Sequence, residues 1–406
     1  MHPNWPLRWP ADWHDPASLE PLKDTPIGVL LIAAPLGYEA VINRARELGI
    51  RVCVPDNPPQ DVRIVKGEWP GIRMSSGSGD ASSGPTGAPW IDSNGWLIRL
   101  TRAQQPARAL WVTADLPKTG EIVPLSRHLV ALADSAAHGG RWVLTPDREL
   151  MANVDAWRKL MRAVEFHQAH EAWNDWSADA VLAVVSSFAG ADEFFSHEVL
   201  NLMARTNISY AIVEKTRATA PSFRGLRAAL YVDTEPPEAA GRQLLLDFAE
   251  RGGLLITAPS FGKLPGLAAA VQSHPRYQLR SFGKGTIAVA LAAPADPYEV
   301  AQDAQILLSH RYDRMRFFNG FLLGGYRTVS ADGKRSLAHV INYGGGAGDD
   351  LTSARLAGRY RSAKLWTCES PAPRQLEMVS QRDGIELHLP QLDVYGAIEL
   401  EAAEHA

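Results

Sequence analysis

The alternation of apolar and polar positions predicts an α/β unit near the middle of the chain. Residues 226–262 contain an apolar run over 228–232, a short loop rich in Asp, Thr and Pro, and an amphipathic stretch that ends at Glu250. A Gly-Gly pair and a second apolar run over 254–258 follow. Because parallel strands need a crossover connection, this strand–helix–strand pattern predicts a parallel sheet that is covered on both faces.

The first part of the chain repeats the same kind of unit. A continuous apolar run over 27–33 lies between Pro26 and Pro35, as expected for a buried parallel strand. Helices over 38–48, 96–104 and 126–137 alternate with strands over 51–54, 62–65, 109–113 and 142–144. Acidic residues just after strand ends are typical of a (β/α) barrel, but only about four or five units precede residue 150, against eight in a complete barrel. We therefore expect an abbreviated (β/α) barrel-like domain.

The pattern restarts after a helix predicted over 153–173 and changes again near the C-terminus. A second α/β region follows, with a hairpin over 277–291 and a helix over 298–318. Beyond it, short alternating strands predict a small antiparallel β-sandwich. The predicted domains are an incomplete barrel over 1–176, an α/β domain over 177–320 and a sandwich over 321–406.

Composition narrows the classes of function. The chain is 46% hydrophobic and 21% charged with a formal net charge of −4, which is typical of a globular protein without the basic stripe that nucleic-acid binding needs. No apolar run is long enough to span a bilayer, and the first residues lack the apolar core of a secretion signal. The sequence thus predicts no membrane association and a cytoplasmic location. Cys53 and Cys368 lie far apart and are expected to be free thiols.

Two groups of segments resemble a known family. The first is VLAVVSSFAGADEFFSHEVLNLMARTNISYAIVEK together with FAERGGLLITAPSFG, and the second is LAHVINYG with GIELHLPQLDVYGAIELE. Their order is similar to that of bacterial glycoside hydrolases of the family forty-two β-galactosidase type. The resemblance implies a catalytic barrel, a flavodoxin-like domain shaped like a class I glutamine amidotransferase that mediates trimerisation, and a C-terminal β-sandwich. It also implies a homo-oligomer, such as a trimer, and a carbohydrate ligand.

The barrel departs from that family. Its members carry acid/base and nucleophile glutamates near the ends of strands four and seven, whereas this sequence has neither an Asn-Glu pair nor room for a seventh strand. No catalytic residue is therefore carried over.

Acidic residues at predicted strand ends are the candidates for catalysis. Glycoside cleavage needs two carboxyl groups about 5–5.5 Å apart for retention or about 6.5–9.5 Å apart for inversion. Asp115 and Asp147 each follow a clear strand and form the best candidate pair, and Asp56 and Glu68 occupy similar positions. The alternative is that these acids cap helices or hold turns.

Tryptophans and polar residues near the low-complexity stretch over 75–89 are candidates for substrate binding. Trp69 and Trp90 could contact the apolar faces of sugars, with Asp92 and Asn94 binding hydroxyl groups. The alternative for the tryptophans is ordinary packing.

Other chemistry has less support in the sequence. An amidotransferase needs a cysteine nucleophile, and the turns VSSFAG, VDTEPPE and APSFG contain none. Gly344–Gly348 lacks the Lys-Ser/Thr of a phosphate loop, and His167 and His170 have no further cysteine or histidine ligands nearby. No cofactor or metal is predicted. Two hypotheses remain: hydrolysis of a β-linked glycoside by a carboxylate pair, or a non-catalytic relative that binds carbohydrate or mediates assembly.

Overall fold

The computed structural model describes residues 4–75, 80–82, 89–117, 122–264, 270–346 and 352–403. It shows a mixed α/β protein with several sheets, as predicted. The low-complexity stretch over 75–89 and the loop Gly344–Gly348 lie partly outside the described residues.

The first part of the chain is a layer of parallel strands covered by helices. Its strands are β1 (Trp5–Arg8), β2 (Ile27–Leu31), β3 (Arg51–Cys53), β4 (Val62–Lys66), β5 (Gly71–Ile72), β6 (Ile91–Asp92), β7 (Ala109–Thr113) and β8 (Arg141–Trp142). Its helices are α1 (Glu39–Glu47), α2 (Gly95–Gln104), α3 (Leu125–Ala137), α4 (Arg148–Ala152) and α5 (Val154–Ala169). Strand β2 is buried along its whole length, as the apolar run predicts.

Two three-stranded parallel sheets in this part are joined through β1. The sheets have the orders β1-β2-β3 and β4-β7-β8. The Arg8 amide donates to the Leu144 carbonyl at 2.8 Å, and the Leu144 amide donates to the Pro6 carbonyl at 3.1 Å. The strands therefore follow the spatial order β3-β2-β1-β8-β7-β4, and their carboxyl ends lie at one edge. Strands β5 and β6 form a separate antiparallel pair beside this edge.

The second part contains a seven-stranded sheet. Its elements are β10 (Leu182–Ser186), α6 (Glu193–Arg205), β11 (Tyr210–Glu214), β12 (Ala228–Tyr231), α7 (Ala239–Glu250), β13 (Leu254–Thr257), β14 (Ala270–Ser273), β15 (Tyr277–Phe282), β16 (Gly285–Ala290) and α8 (Pro297–Leu308), preceded by the short strand β9 (Ser177–Ala178). The order is β11-β10-β12-β13-β16-β15-β14, in which the first five strands are parallel. The strand–helix–strand unit over 226–262 is present as β12, α7 and β13.

The third part consists of two antiparallel sheets. Its strands are β17 (Met315–Phe318), β18 (Leu323–Val329), β19 (Arg335–Asn342), β20 (Ser353–Ala357), β21 (Tyr360–Thr367), β22 (Arg374–Gln375), β23 (Met378–Gln381), β24 (Gly384–His388) and β25 (Tyr395–Ala402). The sheets have the orders β17-β20-β24-β23 and β22-β21-β25-β19-β18-β9.

Strand β19 of the six-stranded sheet is buried on both faces. Along β19, Ala338 and Val340 pack toward the four-stranded sheet, whereas Leu337 and Ile341 join the hydrophobic core of the first part. Because successive strand residues point to opposite faces, this one strand contributes side chains to two hydrophobic cores. This packing places the loop after β19 beside the helices of the first part.

Several predicted boundaries were wrong. The helix predicted over 298–318 ends at Leu308, because Ser309 has a φ of 76° and Met315–Phe318 forms a strand that pairs with β20. The helix predicted over 153–173 ends at Ala169 and is followed by a short 3-10 turn. Strands β1 and β18 were missed.

Candidate functional site

Asp115 and Asp147 follow the neighbouring strands β7 and β8, but each has another partner. The Asp115 side chain is 83% exposed, and its carboxylate lies 2.8 Å from the Lys66 ammonium group. Asp147 is half-buried and caps α4, with its Oδ1 accepting a hydrogen bond from the Leu150 amide at 2.7 Å. The structure thus gives Asp115 a surface ion pair and Asp147 a helix cap.

Neither environment suits a general acid. A catalytic carboxyl group that stays protonated near neutral pH needs desolvation or a neighbouring negative charge. Asp115 is instead exposed to water and paired with the Lys66 cation. The Asp147 carboxylate is instead engaged by a backbone N–H at the N-terminus of α4.

Asp56 and Glu68 are exposed at the same edge of the strands. Asp56 lies in a turn closed by a 3.0 Å hydrogen bond from the Asn57 amide to the Val54 carbonyl. The Glu68 backbone is held by Asn94, whose Oδ1 accepts from the Glu68 amide at 2.9 Å and whose Nδ2 donates to the Glu68 carbonyl at 2.8 Å. Asn94 is 3% exposed. Its side chain therefore positions the loop after β4, which differs from the predicted contact with a ligand.

Trp69 lies between the strand ends and α3. Its indole N–H donates to the Asp115 carbonyl at 3.0 Å, and its ring centroid lies 5.0 Å from Trp142 and 5.3 Å from His128. The Arg127 guanidinium lies 5.5 Å from the ring centroid. Trp69 is half-buried, so one edge packs in the core while the rest faces a cleft.

His128 behind Trp69 was not found from the sequence. It is fully buried, and neither ring nitrogen has a hydrogen-bond partner among the described residues. Burial lowers the pKa of His128 to about 4, which outweighs the opposing effect of Asp147. The imidazole is therefore neutral at pH 7. Its position in an otherwise apolar helix stretch gave no signal of a special role.

Asp92 and Trp90 form a charged cluster with two arginines. The Asp92 carboxylate accepts two hydrogen bonds from Arg73, at 2.6 and 3.1 Å, and lies 3.4 Å from Arg205 of α6. The Trp90 ring centroid lies 3.6 Å from the Arg205 guanidinium and 5.5 Å from that of Arg73. The Trp90 ring thus already contacts two cations, whereas the sequence predicted that it would contact a sugar.

A cleft of about 570 Å³ opens beside Trp69, and we call it the Trp69 cleft. Two of the predicted residues, Trp69 and Asp92, line it. The other lining residues are Pro70, Gly71, Ile72, Arg73, Met74, Ser126, Arg127, Val130, Tyr343, Gly344 and Gly345. The remaining predicted residues, which are Asp56, Glu68, Trp90, Asn94, Asp115 and Asp147, are not among those that line it in the described part of the chain.

Buried Asp134 fixes the wall of this cleft. Its carboxylate accepts hydrogen bonds from the Ser93 hydroxyl at 2.7 Å, the Asn94 amide at 2.9 Å and the Tyr343 hydroxyl at 2.6 Å. Burial, followed by the charge of Asp134, raises the pKa of Tyr343 well above its usual value, so that this hydroxyl remains a donor. One carboxylate on α3 therefore joins the loop before α2 to the loop after β19.

The carboxyl edge of the seven-stranded sheet carries a buried ion pair. Asp233 is 1% exposed, lies 2.5 Å from the Lys215 ammonium group and accepts from the Ser187 amide at 3.0 Å. The two cysteines, Cys53 and Cys368, are free thiols in other parts of the chain. The described turns at this edge therefore present serine, aspartate and lysine groups and no cysteine.

The described ranges contain no group of three or more His, Cys, Asp or Glu residues placed to hold a metal ion. No helix in them is both long and apolar enough to cross a bilayer.

Comparisons with solved structures show the architecture of glycosidases. The chain is similar to α-L-fucosidase isoenzyme 2 from Paenibacillus thiaminolyticus, with a TM-score of 0.51 and 11% identity over 73% of this chain and 61% of that one. It is similar to a GH42 β-galactosidase from G. stearothermophilus, with a TM-score of 0.50 and 11% identity over 89% and 66% of the two chains. A rhamnosidase from Novosphingobium sp. PP1Y matches with a TM-score of 0.51 and 11% identity over 91% of this chain and 39% of its own.

These similarities describe the fold. The chain spans 61% and 66% of the lengths of the fucosidase and the β-galactosidase. No protein-family model and no curated protein matches the sequence. The GH42-like architecture expected from the sequence is confirmed.

Proposed function

We propose that this chain is a glycoside hydrolase-like protein that binds carbohydrate in the Trp69 cleft without cleaving it. The observation that carries the proposal is the lining of the cleft, which includes both Trp69 and the Arg73–Asp92 ion pair. Aromatic rings pack against the C–H faces of sugars, and charged groups of both signs can bind sugar hydroxyls. A volume of about 570 Å³ lies within the range of small-molecule sites, about 300–1,000 Å³.

The architecture of the first part supports a barrel that is abbreviated. In the order β3-β2-β1-β8-β7-β4, strands that follow each other in the sequence mostly lie side by side. The last strand, β8, lies next to the first, β1, as in a barrel. Among the described residues, no pairing joins β3 to β4, so the circle is open on that side.

The amidotransferase-like domain is supported by the parallel order of the seven-stranded sheet, and the sandwich by the two antiparallel sheets. The domain boundaries, the homo-oligomer and the cytoplasmic location stay predictions.

Replacing Trp69 tests the binding proposal. We expect Trp69→Ala to weaken carbohydrate binding about tenfold. This factor corresponds to roughly 1.5 kcal/mol, the upper end of the free energy that an aromatic contact contributes in addition to the burial of its surface. Titration calorimetry with β-galactosides, α-L-fucosides and rhamnosides measures the effect, since these sugars correspond to the names of the similar structures.

Trp96→Ala is the matched control, because Trp96 is also half-buried but is not among the residues that line the Trp69 cleft. Equal affinities of the two variants would contradict the assignment of this cleft. Trp69→Phe should recover part of the affinity, because it restores an aromatic face.

Hydrolysis by Asp115 and Asp147 is the second candidate, since these carboxylates follow neighbouring strands at one edge. Asp115→Asn removes only a surface ion pair, and Asp147→Asn keeps a good helix cap, so both variants should fold. We expect the unmodified chain to hydrolyse aryl glycosides no faster than the Asp115→Asn variant does. Turnover that both variants abolish would establish a carboxylate pair and overturn the non-catalytic assignment.

A further inference from the structure

A second cleft lies where the three parts of the chain meet, and we call it the Arg99 cleft. It encloses about 280 Å³ between α2, β11 and β18. Arg99, Trp173, Trp176, Tyr210 and Tyr326 are among the residues that line it. In the described part of the chain, no residue lines both this cleft and the Trp69 cleft.

The Arg99 guanidinium lies between two tyrosine rings. It is 3.9 Å from the Tyr210 ring centroid and 4.7 Å from that of Tyr326, and its Nη2 donates to the Tyr210 carbonyl. Within the described ranges, no carboxylate pairs with Arg99, and its Nε and Nη1 donors have no protein acceptor. The aromatic rings therefore hold a guanidinium group in place while leaving most of its donors unused.

The lining of the Arg99 cleft carries positive charge in the described part of the chain. Its lining residues in the described chain include Arg99 and Arg102 but neither aspartate nor glutamate. Arg102 adds a second positive charge, although its two Nη groups already donate to the Gly139 and Asn174 carbonyls at 2.7 and 2.8 Å. Burial lowers the pKa of His138, which leaves that imidazole neutral.

The walls of the cleft add unused hydrogen-bonding capacity and apolar surface. Thr328 is 2% exposed, and its hydroxyl has no partner among the described residues. Buried polar groups without partners are uncommon in native proteins. The half-buried rings of Trp173 and Trp176 supply the apolar surface that small-molecule sites require.

We propose that the Arg99 cleft binds a small ligand that carries one carboxylate group, such as a sugar acid. A guanidinium fork matches the two oxygens of a carboxylate and forms strong charge-assisted hydrogen bonds with them. Of the two guanidinium groups that line the described part of the cleft, Arg99 has more free donors than Arg102, because both Nη groups of Arg102 already donate to carbonyl oxygens. A monoanion therefore fits better than a phosphate dianion. The cleft volume, near the lower end of the range for small-molecule sites, suits a ligand of about one sugar ring.

Ala103 provides a test that removes no existing side-chain contact. It is exposed on α2 and lines the Arg99 cleft. Ala103→Glu places a carboxylate beside Arg99, whereas the control Ala103→Gln adds a side chain of nearly the same size without the charge. Both replacements favour helix. We expect the glutamate variant to bind glucuronate at least about tenfold more weakly than the glutamine variant, the loss typical of a charge-assisted hydrogen bond.

Binding is measured by calorimetric titration of the full chain at constant ionic strength, with glucuronate, acetate, glucose and inorganic phosphate as the probes. Glucuronate and acetate should bind, glucose should bind at least about tenfold more weakly than glucuronate, and Trp69→Ala should leave glucuronate binding unchanged. No binding of glucuronate, equal binding of glucose, or equal affinities of the two Ala103 variants would overturn the proposal. Tighter binding of inorganic phosphate than of acetate would overturn the choice of a carboxylate. A glucuronate affinity that falls in Trp69→Ala and not in Ala103→Glu would assign the sugar acid to the Trp69 cleft instead.

Discussion

Replacing Asp134 with alanine is expected to lower the free energy of unfolding by about 3–5 kcal/mol, the range for breaking a buried charged network. The Asp134 side chain is fully buried and accepts hydrogen bonds from Ser93, Asn94 and Tyr343. Alanine removes the acceptor that all three donors share, although the Tyr343 hydroxyl keeps the Ser93 oxygen as an acceptor at 3.1 Å. Urea-induced unfolding, followed by circular dichroism, measures the change.

The neighbouring Ser135 offers a matched control. It is also fully buried on α3, but its hydroxyl has no hydrogen-bond partner in the part of the chain that the structure describes. Ser135→Ala should therefore change the free energy of unfolding by less than about 1 kcal/mol and could increase it. If both variants lose the same stability, the Asp134 network is not what holds these loops together.

Acidification from pH 7 to pH 5 is expected to cost about 4 kcal/mol of stability through two buried histidines. His167 and His339 are 9% and 3% exposed, and burial lowers the pKa of each to about 3. Repulsion from His170 adds to the effect at His167, and repulsion from His138 and His167 adds to it at His339. Between pH 6.5 and about 3 the unfolded chain binds protons at these positions and the folded chain does not. Stability is therefore complete above pH 6.5 and falls as the pH is lowered.

A His167→Phe variant isolates one of these groups. The His167 Nε2 has no described partner, so phenylalanine removes the titration without removing a described hydrogen bond. Urea unfolding at pH 7, 6 and 5 should show that the variant loses about 2 kcal/mol less than the unmodified chain over this range. The same loss in both proteins would show that His167 is protonated in the folded state.

The sequence predicted the fold better than it predicted the site, and particular elements show why. The apolar run that became β2 and the alternating residues that became β19 follow the periods of buried and two-sided strands, so their local sequence was sufficient. Strand β1 was missed because its four residues include a proline and are too few to show a period. Strand β17 was assigned to a helix because only its pairing with β20, far along the chain, makes it extended.

The candidate site depends on contacts that no local pattern encodes. Trp69 and Asp92 were proposed from their residue types and positions, and they line the same cleft. Tyr343 was not, because its hydrogen bond to Asp134 joins positions 209 residues apart. Likewise, an acidic residue after a strand has the same sequence signature whether it caps a helix, as Asp147 does, or performs catalysis.

The most direct test of the central claim follows binding and cleavage of one ligand in the same sample. A β-linked oligosaccharide that binds the chain is incubated with it, and proton NMR records both the transfer of saturation from protein to ligand and the signals of newly formed reducing ends. The account predicts saturation transfer that is reduced in Trp69→Ala, with no new reducing ends over the incubation. New reducing-end signals that disappear in Asp115→Asn would contradict it.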